Sequence, residues 1–204
     1  ICNIAKISMF YQKKIPKTQQ PDKTPFTIYR INSKDGYVMR PDRVRVVSID
    51  PGISNFCIRV EDRPYRITDD MSIVPKLYIK KHLRKDEVEL DDTNTCNYQF
   101  TLTNLLDDHW SILKDADIVI IERQMPFNYK AVRVSQHTLS YFTIKLADSK
   151  RNPVIMEIDA KLKTSQLDAP NTLNDRGVKL WAVDKAQELL KIREDDYSLN
   201  ILDK

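Results

Sequence analysis

Glycine is scarce in this chain, with three in 204 residues, and that scarcity weighs against a Gly-rich phosphate-binding loop; no Walker pattern is present. Cysteine is equally sparse. Cys2, Cys57 and Cys96 form no CxxC pair, which excludes a recognisable zinc site or disulfide framework and makes a reducing compartment the expectation. No apolar run approaches the roughly 18 residues a bilayer span needs, and the N-terminus does not read as a signal peptide. What the chain has in quantity is charge: 33 Lys and Arg against 29 Asp and Glu, a net +4. This modest excess fits a nucleic-acid binder without requiring one. The length suits one domain with a sizeable core and an extension.

The extension is expected at residues 1–42. ICNIAKISMFYQKK is mildly amphipathic, IPKTQQPDKTP is polar and proline-bearing, FTIYRI reads as a short strand, and SKDGY as a turn. Lys13, Lys14, Lys17 and Lys23 make this segment either an arm that contacts DNA or a solvated tail.

The domain proper, 43–204, is organised around VRVVSIDPGISNFCIRV, Val44 to Val60. Its first half reads as a strand buried on both faces. It rises to one carboxylate, Asp50, and turns at Pro51 and Gly52. Alone, the segment is equally a hairpin whose turn begins with Asp. DIVIIERQ, Asp117 to Gln124, repeats the design, with Ile118 to Ile121 ending in Glu122. Two buried strands that each deliver an acid imply carboxylates side by side at one sheet edge. Their repulsion is relieved by a divalent cation with oxygen ligands, so a magnesium site is expected.

The remaining elements follow in order. Asn55 to Val60 and Pro64 to Thr68 supply a second strand and its turn. SIVPKLYIKK supplies a third, with Pro75 marking an edge or bulge. A helix capped by Thr93 or Asn94 runs to about Lys114, with Phe100, Leu102, Leu105, Leu106, Trp110 and Leu113 near helical spacing. His109 on it reads as a surface or half-buried side chain rather than a ligand. After Glu122, MPFNYKAVRVSQ leads into a helix from Val132 to Ala147, on which His137, Tyr141 and Phe142 face the core or a partner copy. PVIMEI is the fifth strand, residues 164–175 a flexible loop, and Asn174 to Ile192 a helix with Leu180, Val183, Leu189 and Leu190 on its apolar side.

SIDPGISNF followed by DIVIIERQ resembles the RNase H-like resolvases: bacterial RuvC, fungal mitochondrial resolvases, and most closely the poxvirus-type Holliday junction resolvases of large DNA viruses. The resemblance runs from about Arg43 to the C-terminus. It implies an α/β fold with an RNase H-like mixed five-stranded sheet flanked by helices. It also implies Mg²⁺-dependent hydrolysis of four-way DNA junctions by a homodimer with no membrane partner. Two Mg²⁺ per site, with Mn²⁺ as a substitute, would be held by Asp50 and Glu122. DAKLKTSQL resembles the family's lysine-bearing loop beside the metals, where Lys161 or Lys163 would neutralise phosphate charge; for either alone, a solvated loop is an equal reading. The resemblance makes Asn55, Gln124, Phe127, Tyr129, Lys130 and Arg133 candidate DNA contacts, although Phe127 and Tyr129 equally suit packing of their loop onto the core. Asp159 is a weaker candidate ligand.

One feature departs from the family. RuvC-like resolvases carry two further acids on a C-terminal helix after a lysine-rich stretch, and here the sequence reads LNILDK where that stretch would start. Glu194, Asp195 and Asp196 fit a linker before such a helix, which is therefore expected to be absent. The expected setting is intracellular: a viral replication compartment in host cytoplasm, or a nucleus or mitochondrion. Two other readings stay open, an RNase H-like nuclease for flaps or RNA/DNA hybrids and a non-catalytic DNA-binding protein of this fold.

Overall fold

The computed structural model describes residues 26–30, 43–64, 73–83, 97–170 and 172–202. Strands β1 (Phe26–Arg30), β2 (Arg43–Pro51), β3 (Phe56–Pro64), β4 (Val74–Lys81), β5 (Ile118–Arg123) and β6 (Val154–Asp159) form one mixed sheet in the order β1-β6-β5-β2-β3-β4. β2, β3 and β4 are antiparallel neighbours, while β5 lies parallel to β2 and β6 parallel to β5. This is the expected α/β mixed sheet flanked by helices, with a correction in number. Among the described residues the sheet has six strands rather than five, because FTIYR of the N-terminal stretch adds antiparallel to β6, pairing Phe26 with Ile158 and Arg30 with Val154.

Helices α1 (Asn97–Asp108), α2 (Trp110–Leu113) and α3 (Tyr129–Lys145) cover one face of the sheet. Leu102, Leu106, Leu113, Val134, Phe142 and Leu146 pack there against Val47, Ile49, Ile58, Val119, Ile121 and Ile155. The second face carries Val44, Val46, Ile120, Met156 and Ile158, joined by Leu162 of α4 (Lys161–Gln166). Helices α5 (Asp175–Ile192) and α6 (Asp196–Leu202) follow. β2 is buried at almost every position, as a central strand covered on both faces must be. Pro75 pairs with Glu61 beside a register shift on edge strand β4, where a residue without an N–H is tolerated.

Several boundaries differ from the sequence expectation. The proposed caps Thr93 and Asn94, and residues 65–68 of the second turn, lie outside the described residues. The long helix to Lys114 is broken at His109, whose Nδ1 pairs with the Leu105 carbonyl oxygen at 2.9 Å. α3 starts at Tyr129 rather than Val132, because the Asn128 side chain accepts from the Ala131 N–H and starts the helix early. Lys161 to Gln166 is helical, where a lysine-bearing loop was expected. On α5, Leu190 is buried, but Leu180 and Val183 are exposed.

Two sets of buried charges fix how these pieces meet. The Arg45 N–H donates to Asp117 Oδ2 at 2.8 Å, and the Asp117 N–H donates to the Arg45 carbonyl at 2.9 Å, which locks the start of β5 against β2. Asp117 also accepts from Arg151 at 2.9 Å, and the Arg45 guanidinium donates to Asp62 at 2.8 Å. On the second face, Arg59, Glu61 and Arg63 alternate along β3 and meet the C-terminal residues. Arg59 donates to Glu61 at 2.8 Å and also to the Asp195 carboxylate and the Ser198 hydroxyl, while Arg63 donates to Glu61. Asp195, read from sequence as part of a linker, is thus a buried anchor for α6.

Burial alone pushes the Glu61 carboxyl up, but the charges of Arg63 and Arg59 outweigh it and hold it below its ordinary value. For Asp195, burial again pushes up, and the bonds from Arg59 and Ser198 bring the net shift down. Groups titrating lower in the folded chain than in the unfolded one stabilise it above the ordinary carboxylate range. That contribution is lost as pH falls through their folded values, beginning near about pH 4. Arg59→Leu leaves two buried carboxylates short of their cation and is expected to cost about 3–5 kcal/mol in urea unfolding. It should also flatten the acid limb of the stability–pH curve. A loss under about 1 kcal/mol would mean the network contributes little.

Candidate metal centre

Parallel pairing of β2 with β5 runs from Val46↔Ile118 to Ile49↔Ile121. Asp50 and Glu122 are the next residues on the two strands. They occupy adjoining positions at the same end of the sheet. By strand alternation both lie on the face of Val46, Ile120 and Ile158. Both are half-buried, which keeps each carboxylate within reach of solvent or a cation. Glu122 is in register with Ile158, and Arg123 with Asp159. Asp159 therefore belongs to the opposite face, and its Oδ1 accepts from the Lys161 N–H at 2.8 Å at the start of α4.

The turn after Asp50 is tight. A Cβ on Gly52 would come within 3.2 Å of the Asn55 carbonyl oxygen, so the close backbone approach favours glycine. Asn55 itself is exposed on that turn. Across the antiparallel ladder Asp50 faces Cys57. Burial pushes the Cys57 thiol up and the Asp50 carboxylate pushes it further, so the thiol stays protonated and leaves the carboxylates as the anionic donors here.

On the other flank, β1 braces the site. Its antiparallel course puts Phe26 at the same sheet end as Asp159. Arg123 donates to Thr27 Oγ1 at 2.6 Å, and Tyr29 donates to Glu157 at 2.7 Å, with Gln136 of α3 adding a bond to Glu157 at 3.3 Å. Neither Thr27 nor Tyr29 was singled out from sequence. Alternation in FTIYR marks a strand, but its partner lies more than a hundred residues away.

The remaining candidates sort by exposure. Gln124 is half-buried just beyond β5. Phe127 is 86% exposed and Tyr129 59% exposed. The packing alternative for these two aromatics is thereby answered: they do not seal the loop onto the core. Lys130 lies 5.8 Å from the Tyr129 ring, and Arg133 is exposed one turn further along α3. Lys161 is exposed at the start of α4, and Lys163 lies on the same helix. His137 is half-buried against Thr103 at 2.8 Å, and burial lowers its pKa. Tyr141 and Phe142 are core residues, the former donating to Asp107 at 2.7 Å.

Among the described residues no cluster of three or more His, Cys, Asp or Glu side chains stands ready for a metal ion. The pair at 50 and 122 nevertheless fits Mg²⁺. That ion takes hard oxygen donors, keeps several waters, and is commonly held by one or two carboxylates plus substrate phosphate.

No family model matches the chain, and no curated protein matches it. Among solved structures, the yeast mitochondrial Holliday junction resolvase Ydc2 is similar at 16% identity and a TM-score of 0.42, over 62% of this chain and 59% of that one. RuvC of Thermus thermophilus is similar at 12% identity and a TM-score of 0.44, over 67% of this chain and 76% of its own. The chain spans about three fifths of the length of the yeast protein. No helix among the described residues is long and apolar enough to cross a membrane.

If the two acids share a cation, Mg²⁺ or Mn²⁺ at ten times its Kd adds roughly 1.4 kcal/mol of stability, a Tm rise of about 3–6 °C for a chain of this size. The rise is expected in the unaltered chain and absent in Asp50→Asn. An equal rise in both would remove Asp50 from the metal site.

Proposed function

We propose that this chain is a divalent-metal-dependent, structure-selective endodeoxyribonuclease that resolves four-way DNA junctions. The observation that carries the reading is the adjoining position of Asp50 and Glu122 at one end of the sheet, both within reach of solvent. The sequence resemblance of SIDPGISNF and DIVIIERQ to the RNase H-like resolvases supports it. Asp50 and Glu122 would hold Mg²⁺, which supplies an activated water and charge stabilisation for the leaving 3′-oxygen.

The chain's own residues do the rest. Exposed Phe127 and Tyr129 offer π-faces to unstacked bases at the branch point, where stacking is worth about 1–3 kcal/mol per base. Lys130 and Arg133 meet phosphates beside them, and Asn55 and Gln124 add polar contacts on either side of the acids. Lys161 or Lys163 screens negative charge that builds on the phosphate in the transition state. Selection among DNA forms then rests on shape and backbone contacts rather than base edges. Paired incision calls for two sites related by a two-fold axis, hence a homodimer. The basic segment before Phe26 is proposed as an arm on the same DNA, since β1 starts at the sheet end that carries the acids. Such an enzyme works wherever branched DNA arises, in a viral replication compartment, a nucleus or a mitochondrion.

Labelled four-way junctions, flaps, RNA/DNA hybrids and linear duplexes, each with Mg²⁺, test the reading in the longest available form of the chain. Paired cuts in the junction alone are expected, abolished by Asp50→Asn with binding retained. Cleavage confined to flaps or hybrids assigns a different nuclease, and normal junction cutting by Asp50→Asn overturns the site. Phe127→Ala is expected to weaken junction binding about 5- to 150-fold, with far less effect on linear duplex.

A further inference from the structure

The cations considered so far lie on one side of the acids. Lys130 and Arg133 follow β5, and Lys161 follows β6. A DNA strand crossing the sheet end at Asp50 and Glu122 must also pass the β3–β4 side, where only the Asn55 turn has been assigned.

The register of the sheet fills that gap. Glu122 adjoins Asp50, Asp50 pairs with Cys57 on β3, and Cys57 pairs with Lys80 on β4. Side chains paired across neighbouring strands share a face, so Lys80, Cys57, Asp50 and Glu122 form one row across four strands. Lys80 is exposed. Asp50 and Lys80 both act electrostatically on the Cys57 thiol between them, one raising and one lowering its pKa, as their positions on either side require. Two strand spacings separate Lys80 from Asp50, about 10 Å. A duplex strand rises ~3.4 Å per nucleotide, so phosphates two or three steps from the one at the acids come within reach of the ammonium.

We propose that Lys80 binds a backbone phosphate of the DNA strand on the β4 side of the site, completing a cationic border on both flanks of the acids. The assignment rests on the nuclease reading above. Lys81, the next residue on β4, alternates onto the opposite face of the sheet. Lys76, at the far end of the strand, reaches Asp62 at 3.7 Å and lies away from the acids.

Anisotropy of a fluorescent four-way junction in EDTA, across a salt series, tests the assignment with the unaltered chain, Lys80→Ala, Lys80→Arg and Lys76→Ala. Loss of one phosphate contact should weaken binding roughly eightfold near 0.1 M salt and reduce the log K–log salt slope by about 0.7–0.9. Lys80→Arg and Lys76→Ala should keep the original slope. Lys80→Ala with unaltered affinity and slope overturns the assignment while leaving the nuclease reading standing. Weakening with an unaltered slope gives Lys80 a structural part and overturns the assignment equally. An unaltered chain that binds no junction at any salt sinks the underlying reading instead.

Discussion

Two strands that run parallel in a sheet must finish at the same end, and β2 and β5 each carry an acid one residue before that end. Strands are ~4.8 Å apart. Two unit charges at about 5 Å repel by roughly 3 kcal/mol at an effective dielectric of 20. A fold can hold such a pair only where water or a cation reaches it, and the half-exposed end of the sheet provides that. The rest of the molecule keeps the strands from slipping. The mutual bonds of Arg45 and Asp117 fix the register at the opposite end of the same two strands, and the core beneath Val47 and Ile121 leaves no room for the alternative pairing.

Charge is thus used in two ways. At the closed end and on the second face, Arg45, Arg59, Glu61, Arg63, Asp117 and Asp195 are buried and tied to one another, so the cost of removing them from water is offset by mutual attraction and hydrogen bonds. These groups set geometry. At the open end, Asp50 and Glu122 stay near solvent, and the basic and aromatic side chains around them are largely exposed. The first set gives the second a rigid base, as the proposed phosphate-positioning role would require.

Much of this was legible in the residues. The apolar runs ending at Asp50 and Glu122 marked both central strands and the position of the acids, because a strand buried on two faces leaves an uninterrupted signature. The early start of α3 escaped notice because Asn128 acts as its cap only through a bond to the Ala131 N–H. The helix at Lys161 escaped because six residues are too few to show a period. The buried network of Arg59, Glu61 and Arg63 was not singled out from sequence; Arg59's partners Asp195 and Ser198 are well over a hundred positions away, a distance spacing rules do not reach. Lys80 could be found only after pairing was known. The register shift beside Glu61 changes the alternation along β4, so counting by twos from the sequence does not say which face it shares.

The sixth strand carries a consequence of a different kind. β6 is parallel to β5 on one side, and without β1 its other side would be a row of open hydrogen-bonding groups, a template for another chain. FTIYR covers that row and leaves the sheet bordered by two antiparallel strands, one of them irregular at Pro75. Residues that look expendable as the end of an N-terminal extension therefore also replace a longer parallel edge with a short antiparallel one, which offers less of a template for another chain. Trimming into them would uncover the hydrogen-bonding edge of β6.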